Sequence, residues 1–510
     1  MEELTRRQML ALLAKLGVGV GCSAALAACG ATPTPQVVEK VVEKEVTKVI
    51  EQEVTRIVEG TPQIVKETVI VQAPTVPPQP AGEGVILRYS HWGDPDEANL
   101  WRQLAQEYTN ANPGVTVITM HIPEQYETKI QAMFAANDPP DVLFIQDEPF
   151  PKYADKGLYL LQDPLVERDA AELKLDDFFP MTQEMFMWDA EAQVVNQGKR
   201  YAMPSEGGAI EWFINLDVWE DAGAKVPEGN GKDWTVDDFV EAMTKITKVR
   251  PDGGLDRGGF SWPGTIYNMP WIWTLSDMKA DYLTPDKKQC LLDTKASIEA
   301  HQVLWEWMFD RRFMPLAGQD MVGVSGVDQF TSGKIGAQIT GPWFFPQLRR
   351  ATTAEGKRTV NWDILLMPKN AQGNRWTRQS FDGWAIAAST PEFKRAPAWS
   401  FIKYMLSDAG QKRITELGRA MPVRPSIAHS EVFNRPDTPE NENVFVEAMS
   451  FANYQPITKW WAEMWQIIQK YYDIIYNPQT KNDMTVEEAC KRMAAGVNEL
   501  LKTGELPTNY

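Results

Sequence analysis

Two aromatic side chains, Trp343 and Phe344, stand where a predicted strand ends. The apolar run 335–339 has the length of a strand, and Gly341 and Pro342 follow it. Glycine lets the main chain turn, and proline suits the first position of a helix. Because ligands of α/β sheets bind beyond the carboxyl ends of the strands, this pattern predicts two rings at a binding cleft. An ordinary place in the core is the alternative for both rings.

A second set of candidate contacts precedes this segment. The apolar runs 85–90, 115–121 and 141–145 alternate with two amphipathic helix patterns. That order predicts parallel strands with right-handed crossovers, whose carboxyl ends face a ligand. The side chains expected at these ends are Trp92, Asp94, Gln146 and Glu148. A helix cap or a solvated loop is the alternative for the acidic pair.

The strand and helix pattern restarts near residue 200. The turn 206–208, Glu-Gly-Gly, precedes a predicted strand at 210–215. A chain that crosses between two lobes needs backbone freedom, which glycine supplies. Further along, Thr235 and Asp238 have the spacing of a capping box at a helix start.

Composition limits the class of partner. The chain has 510 residues, with 51 Lys plus Arg against 69 Asp plus Glu, a net charge of −18. Such length predicts two lobes, and the charge argues against nucleic acid as a partner. The 19 tryptophans suit either a large core or stacking on flat ligand faces. The four histidines lack metal-ligand spacing, so we expect no metal site and no cofactor.

Residues 1–29 form a predicted export signal. Adjacent arginines at 6–7 precede an apolar stretch, which is typical of twin-arginine export. The sequence Leu-Ala-Ala-Cys at 26–29 resembles a lipobox, which predicts lipid on Cys29 and an extracytoplasmic, membrane-anchored protein. A transmembrane anchor is the alternative. Cys290 and Cys490 could form a disulfide or remain buried thiols.

Residues 30–84 form a predicted stalk. Branched residues recur every four positions from 38 to 58, with Glu and Lys between them. This spacing fits a short coiled coil, although valine is a mediocre helix former and a loosely ordered tether fits as well. The Pro-rich stretch 74–84 reads as a semi-rigid linker.

Several sequence blocks of the body follow one another in the order and spacing of one family. They are PDVL (140–143), YADKGL (153–158), WFINLDVW (212–219), TVDDF (235–239), FTSGKIGA (330–337), GPW (341–343), FDGWAI (381–386), AWSFIKYMLS (398–407) and MPVR (421–424). The chain resembles bacterial extracellular solute-binding proteins of family 1, the lipoprotein receptors of ATP-driven sugar importers. Each block alone is weak, but together they cover nearly all of residues 85–430.

The resemblance implies a two-lobed α/β fold of the periplasmic-binding-protein type (type II), with a ligand cleft between lobes that close by a hinge motion. The first lobe would hold residues 85–208 and 368–406. The second would hold residues 209–367 and 407–510. We expect a monomer that is recognised in its closed form by the permease of an ABC importer.

The resemblance also implies ligand contacts. Trp343 matches a family tryptophan that stacks on a sugar ring, and Phe344 would hold that ring in place. One of Trp271 and Trp273 would face the cleft. The polar and remaining contacts would be Asp94, Glu148, Glu206, Asp382, Trp384 and Arg424. For Arg424 a structural salt bridge is the alternative.

The family resemblance predicts a binding receptor for a mono- or oligosaccharide without catalysis. A glycoside hydrolase would need two facing carboxylates at a fixed separation, and no local motif fixes such a pair. A solute such as glycerol-phosphate would need cationic groups in the cleft, and only Arg424 is a candidate.

Overall fold

The computed structural model describes residues 47–58, 61–72, 84–261, 275, 281–316, 326–353, 355–435, 443–454 and 456–510; for 47–72 it describes the backbone alone. The predicted export signal with Cys29, and Trp271 and Trp273, lie outside these ranges. Within them, no helix combines the length and the apolar character needed to cross a bilayer. Cys290 and Cys490 are buried free thiols.

The predicted stalk contains a β-hairpin. Strands β1 (Thr47–Val58) and β2 (Thr61–Gln72) pair antiparallel along their whole length. The expectation of a helix or a loosely ordered tether is therefore wrong for these residues. Valine, isoleucine and threonine favour strands because their branched side chains suit a pleated surface.

The first lobe is built on a seven-stranded sheet, whose strand ranges are given below. Six of its strands follow the order β16-β9-β15-β5-β3-β4, and the seventh, β17, pairs with β15. Strand β3 runs parallel to β4 and β5, whereas β15 runs antiparallel to β5 and β9. The strands are β3 (Val85–His91), β4 (Val115–His121), β5 (Val142–Ile145), β9 (Ala202–Ala209), β15 (Thr377–Ile386), β16 (Met421–Pro422) and β17 (Ala452–Tyr454). A separate small sheet joins β6 (Met187–Asp189), β7 (Val194–Val195) and β8 (Lys199–Arg200).

The second lobe is built on a five-stranded sheet with the order β11-β12-β13-β10-β14. Its strands are β10 (Glu211–Asn215), β11 (Lys248–Val249), β12 (Leu255–Ser261), β13 (Ile335–Thr340) and β14 (Trp362–Leu365). All six residues of β13 are buried, which agrees with the apolar run that predicted it.

Helices cover these sheets. Those before the first crossing to the second lobe are α1 (Pro95–Ala111), α2 (Tyr126–Ala135), α3 (Phe150–Asp155), α4 (Asp163–Arg168), α5 (Ala170–Leu173) and α6 (Pro180–Glu184). Those of the middle of the chain are α7 (Leu216–Asp221), α8 (Val236–Ile246), α9 (Lys295–Phe309), α10 (Gly326–Thr331) and α11 (Phe345–Arg350). The rest are α12 (Glu392–Leu406), α13 (Asp408–Glu416), α14 (Pro425–Ala428), α15 (Asn443–Ala448), α16 (Trp461–Ile475) and α17 (Val486–Thr503).

Helix α8 shows why the sequence folds as it does locally. The Thr235 hydroxyl accepts from the backbone N–H of Asp238, and the Asp238 carboxylate accepts from the backbone N–H of Thr235. This is the capping box that the sequence predicts, and it satisfies two helix-end donors.

The chain passes between the lobes three times: where β9 passes into β10, where β14 leads to β15, and between β17 and α16. The first two crossovers contact each other. Ile210 alone separates β9 from β10, and its carbonyl accepts a hydrogen bond from the Thr377 hydroxyl at the start of β15. The Glu211 carboxylate accepts from the backbone N–H of Met367, 2.6 Å away. Side chains therefore tie the two crossovers together.

The predicted placement of all of residues 407–510 in the second lobe is wrong. Strand β16 pairs with β9, and β17 pairs with β15, so both belong to the first sheet. Ile414, Phe433 and Phe445 lie in the core that packs on that sheet, and Phe445 also meets the rings of Phe213 in β10 and Phe345 in α11. Residues 457–510 contribute to the second core instead.

Candidate functional site

Strands β9 and β15 carry polar side chains on one shared face. Side chains that alternate along a strand point to one side of the sheet, so Arg378, Ser380 and Asp382 share a face. Ser380 lies directly opposite Gly208 in the antiparallel register, and Glu206 lies two residues before Gly208. This face of the first lobe therefore gathers charged groups close to the crossover into the second lobe.

Arg419 organises the first part of this face. Its Nη2 lies 2.8 Å from a carboxylate oxygen of Glu206 and 2.9 Å from one of Asp382. Its Nε lies 3.2 Å from a carboxylate oxygen of Glu97 in the first turn of α1. The three carboxylates are 2%, 15% and 6% exposed, so one guanidinium serves three largely buried acids.

A second ion pair adjoins the first group. Arg378 Nη1 lies 3.1 Å from Glu148 Oε1, and the Ser380 hydroxyl donates to Asp147 Oδ1 over 3.4 Å. Both partners of the Arg378–Glu148 pair are 6% exposed. We call the whole set the acidic cluster: Glu97, Asp147, Glu148, Glu206 and Asp382 with Arg378 and Arg419.

Burial dominates the electrostatics of the acidic cluster. It raises the pKa of Glu206 to about 8, although Arg419 acts in the opposite direction. Burial likewise raises the pKa of Asp382 to about 7. The pKa of Asp147 is raised by burial and by the neighbouring Glu148. Near neutral pH these carboxyl groups can therefore donate as well as accept hydrogen bonds.

Trp92 provides an aromatic surface in the first lobe. Its ring stacks on Phe144 of β5 at a centroid distance of 4.3 Å and meets the edge of Tyr126 at 4.9 Å. The side chain is only partly buried. Its orientation is thus fixed by two neighbouring rings while part of it remains open to solvent.

Trp343 provides an aromatic surface in the second lobe. It lies in the 3₁₀ turn Pro342–Phe344 directly after β13, and it is partly exposed. A Cβ atom at Gly341 would come within 2.3 Å of the Trp343 ring, so only glycine fits before the turn. A Cβ at Gly208 would come within 2.6 Å of Pro342 Cγ. The turn that carries Trp343 therefore packs against the face that holds the acidic cluster.

Asp94 has a different role from the one that the resemblance implies. Its Oδ1 accepts from the backbone N–H groups of Asp96 and Glu97, both 3.0 Å away, and so caps α1. Its Oδ2 lies 3.0 Å from Arg350 of the second lobe. Partial burial raises the pKa of Asp94, but the Glu97 N–H and Arg350 outweigh it and the net pKa is lowered. The helix cap, the alternative at this position, is the role observed.

Other predicted contacts fall into two groups. The structure brings Glu206 and Asp382 together in the acidic cluster. Gln146 is exposed just beyond the end of β5. Trp271 and Trp273 lie outside the described residues, so their roles stay predictions.

The structure assigns two predicted aromatic contacts to the core. Phe344 is 3% exposed and meets the edge of Phe213 at 5.3 Å. Trp384 is fully buried beneath α1, where it meets Trp101 edge-on at 6.2 Å and donates to the Tyr89 hydroxyl. Neither ring has surface left for a ligand, because β15 runs under the helices of the first lobe at Trp384.

Arg424 is also a structural residue. It is 1% exposed, and its guanidinium donates to the backbone carbonyls of Leu406 and Leu173. It also lies over the Phe178 ring and 3.4 Å from Asp177. These contacts satisfy the group within the first lobe, so the salt-bridge alternative replaces the predicted ligand contact.

Sequence reasoning missed Arg419, Arg378, Ser380, Asp147 and Glu97. The alternation Arg-x-Ser-x-Asp at 378–382, inside an otherwise apolar strand, is a period-2 signal that could have found two of them. Glu97 lies on the same helix face as Leu100, Trp101 and Leu104, which places a carboxylate among buried positions. Nothing local marks Arg419, since it acquires its role only by contacts distant in sequence.

Comparisons with known proteins agree with this architecture. A family profile described as bacterial extracellular solute-binding protein matches residues 103–443. A maltotriose-binding protein of Pyrococcus abyssi is 21% identical over 77% of this chain and 78% of that protein. An ABC substrate-binding protein of Listeria monocytogenes, solved with cycloalternan, superposes with a TM-score of 0.69 at 20% identity, covering 82% of this chain and all of that one. Maltose-bound T. maritima MalE3 gives a TM-score of 0.65 at 17% identity, with coverage of 82% and 100%.

Proposed function

Because this chain belongs to the bacterial extracellular solute-binding protein family, a family of binding proteins rather than enzymes, we propose that it is the oligosaccharide receptor of an ABC importer. In this proposal the ligand lies between the two lobes, and the closed protein presents it to the permease. The expected α/β periplasmic-binding-protein fold is confirmed by the structural comparisons.

One observation carries the proposal. A partly exposed ring of the second lobe, Trp343, lies on the turn whose Pro342 packs against the face that holds the acidic cluster. Aromatic rings stack on the apolar faces of sugars, and carboxyl groups pair with sugar hydroxyls. Largely buried carboxyls such as Glu206 and Asp382 discriminate strongly, because a wrong ligand leaves them without partners. We assign Trp92 and Glu148 to the same ligand surface, with Gln146 at its edge.

Charge favours a neutral ligand over a phosphorylated one. The acidic cluster has five carboxyl groups against two guanidinium groups, and each guanidinium already contacts carboxylate. A phosphate group needs unneutralised cations or a helix N-terminus. Glycerol-phosphate is therefore a poorer candidate than an oligosaccharide, and the relatives named with maltotriose and cycloalternan support the same choice.

The location follows from the sequence motifs. We propose that Cys29 carries lipid after export and that residues 30–84 link this anchor to the body outside the membrane. Mass spectrometry of the mature N-terminal peptide tests this: a diacylglyceryl group on Cys29 is expected. An N-terminus upstream of Cys29, without lipid, would contradict it.

A ligand panel tests the receptor proposal. Thermal shift with maltose, maltotriose, a cyclic glucan and glycerol 3-phosphate should give stabilisation by the oligosaccharides, as expected by mass action. Recovered ligand should be chemically unchanged, and hydrolysis of any glycoside would overturn the receptor assignment.

Trp343→Ala tests the stacking ring. Isothermal titration with the best ligand of the panel should show affinity weakened by about 1–3 kcal/mol. Trp305→Ala is the matched control, because Trp305 is also partly buried in the second lobe but packs on Phe309 of α9. Equal losses of affinity in the two variants would return Trp343 to a purely structural role.

A further inference from the structure

One short segment of the second lobe touches the first lobe at both of its ends. Residues 342–350, here called the bridging segment, comprise the 3₁₀ turn and α11 without a break. Its start packs Pro342 against Gly208 of β9. Its end carries Arg349 and Arg350, which reach the first lobe near α1 and α13.

Arg350 contacts two carboxylates of the first lobe. Its Nη2 lies 3.0 Å from Asp94 Oδ2, and its Nη1 lies 2.5 Å from Asp96 Oδ2. The other oxygen of Asp94 is held by two backbone N–H groups of α1, so the carboxylate is oriented by the helix cap. Because the helix cap already orients Asp94, its pair with Arg350 costs less side-chain entropy than a pair between two freely rotating surface side chains.

Arg349 makes the neighbouring contact. Its Nη1 donates to the Gly418 carbonyl over 3.0 Å, and its guanidinium lies over the Phe345 ring at 4.9 Å. Gly418 immediately precedes Arg419, and Asp94 and Asp96 lie three positions and one position before Glu97. The bridging segment therefore holds the two chain segments from which the Arg419–Glu97 pair of the acidic cluster is made.

We propose that Arg349 and Arg350 form a latch that holds the two lobes together before any ligand is bound. The latch sets the fraction of protein that is open and able to admit a ligand. The bridging segment connects the latch arginines at its end to Trp343 near its start. Apparent affinity scales with the fraction of the binding-competent state, so latch strength tunes capture. The inference goes beyond the proposed receptor function and holds for any ligand.

Partial exposure gives the latch a salt dependence. The side chains of Arg350, Asp94 and Asp96 are 48%, 40% and 57% exposed. Salt screens attraction between exposed charges, with a Debye length of about 3 Å at 1 M ionic strength. Concentrated salt should therefore open the ligand-free protein as the removal of Arg350 does.

Pulsed electron spin resonance on the full chain without ligand tests the latch. Spin labels at Val249→Cys and Phe393→Cys report on opposite lobes, since both side chains are exposed, at 50% and 61%. The background carries Cys22→Ser and Cys29→Ser, and Cys290 and Cys490 are buried. The parent should show a short-distance population that falls at least threefold in Arg350→Gln and in 1 M salt.

Two further variants make the result decisive. Asp94→Asn with Asp96→Asn removes both charges while asparagine still caps α1, and it should match Arg350→Gln even if that variant folds poorly. Arg492→Gln removes an arginine that is 54% exposed, against 48% for Arg350, and that pairs with Glu488 of its own helix α17, so it should leave the distances unchanged. An unchanged short-distance population in both latch variants, or a parent with only the long distance, overturns the proposal. No ligand is present, so neither result bears on whether the protein binds sugars.

Discussion

The two surfaces that meet where the lobes touch are built on opposite plans. The first lobe presents the acidic cluster, whose carboxyl groups are mostly buried and share two guanidinium groups. The second lobe presents the bridging segment, with a ring at its start and arginines at its end. The first surface is polar and its ion pairs connect α1, β9, β15 and two loops, whereas the second is a single continuous piece of chain.

From this difference we expect the two lobes to contribute differently to ligand binding. In the proposed receptor the polar partners for a ligand would come from the first lobe, where ion pairs hold them in place before the ligand arrives. The proposed stacking ring and latch lie in the second lobe on one continuous segment, so we expect them to move together when the lobes move. Substitutions on the first surface should therefore lower stability as well as ligand affinity, whereas those on the second should change affinity and conformation with a smaller loss of stability.

The largest expected effect is that of Arg419→Ala. It removes the guanidinium that contacts the largely buried carboxyl groups of Glu97, Glu206 and Asp382, and the loss of all three contacts should lower the free energy of unfolding by about 3–5 kcal/mol. Urea denaturation measures this. Arg492→Ala, which removes an exposed pair within one helix, should change it by less than about 1 kcal/mol. A small effect at Arg419 would mean that the acidic cluster does not depend on it.

Replacing two tryptophans by alanine should distinguish a ring in the core from a ring that faces the ligand. Trp384→Ala removes a fully buried ring and should cost about 3–5 kcal/mol of stability. Trp343→Ala removes a partly exposed ring and should cost clearly less stability while it weakens ligand binding. Denaturation and titration of both variants check this contrast. If Trp343→Ala destabilised the fold as much as Trp384→Ala, Trp343 would be a core residue, and the proposed difference between the two surfaces would be wrong.

The sequence predicted well what depends on local pattern. Period and length predicted β3, β4, β5 and β13, and the spacing of Thr235 and Asp238 predicted the cap of α8. It predicted poorly what depends on distant contacts. The apolar character of Phe344 and Trp384 does not reveal whether the ring lies in the core or on a surface open to a ligand.

The candidate site shows the same limit. Glu206 could be selected because its glycine turn is expected at a crossover and because the family resemblance implies a contact there, whereas Asp382 was selected through the resemblance alone. Arg419, which holds them together, is separated from them by 213 and 37 positions and follows no motif. Asp94 was found, but its role in a helix cap and an ion pair follows from Arg350, which no pattern connects to it.

The pH dependence of stability tests the burial of the acidic cluster. Burial raises the pKa of Glu206 from 4.5 to about 8. Between these values the folded protein retains a proton that the unfolded chain has released, so the free energy of unfolding falls as pH rises through this window. From pH 6 to pH 9 Glu206 should account for a loss on the order of 2 kcal/mol.

Glu206→Gln should remove that loss, because glutamine resembles the protonated carboxyl at every pH. Urea denaturation of parent and variant at pH 6, 7, 8 and 9 gives both slopes. Glu241→Gln is the control, since Glu241 is exposed on α8 and pairs only with Lys245. Parallel slopes for the parent and Glu206→Gln would show that this carboxyl is ionised throughout, and the first surface would then be charged rather than partly protonated.

The smallest effect separates the two roles of Asp94. Asp94→Ala removes both the cap of α1 and the Arg350 pair, and should cost about 1 kcal/mol of stability. Asp94→Asn keeps the cap and weakens only the pair between lobes, so it should cost no more than a few tenths of a kcal/mol while it shifts the ligand-free protein toward the open state. Thermal denaturation and the lobe-to-lobe distance measure the two roles separately. If both variants lost stability equally, the charge rather than the cap would hold α1, and the latch would be part of the fold of the first lobe instead of a contact between two differently built surfaces.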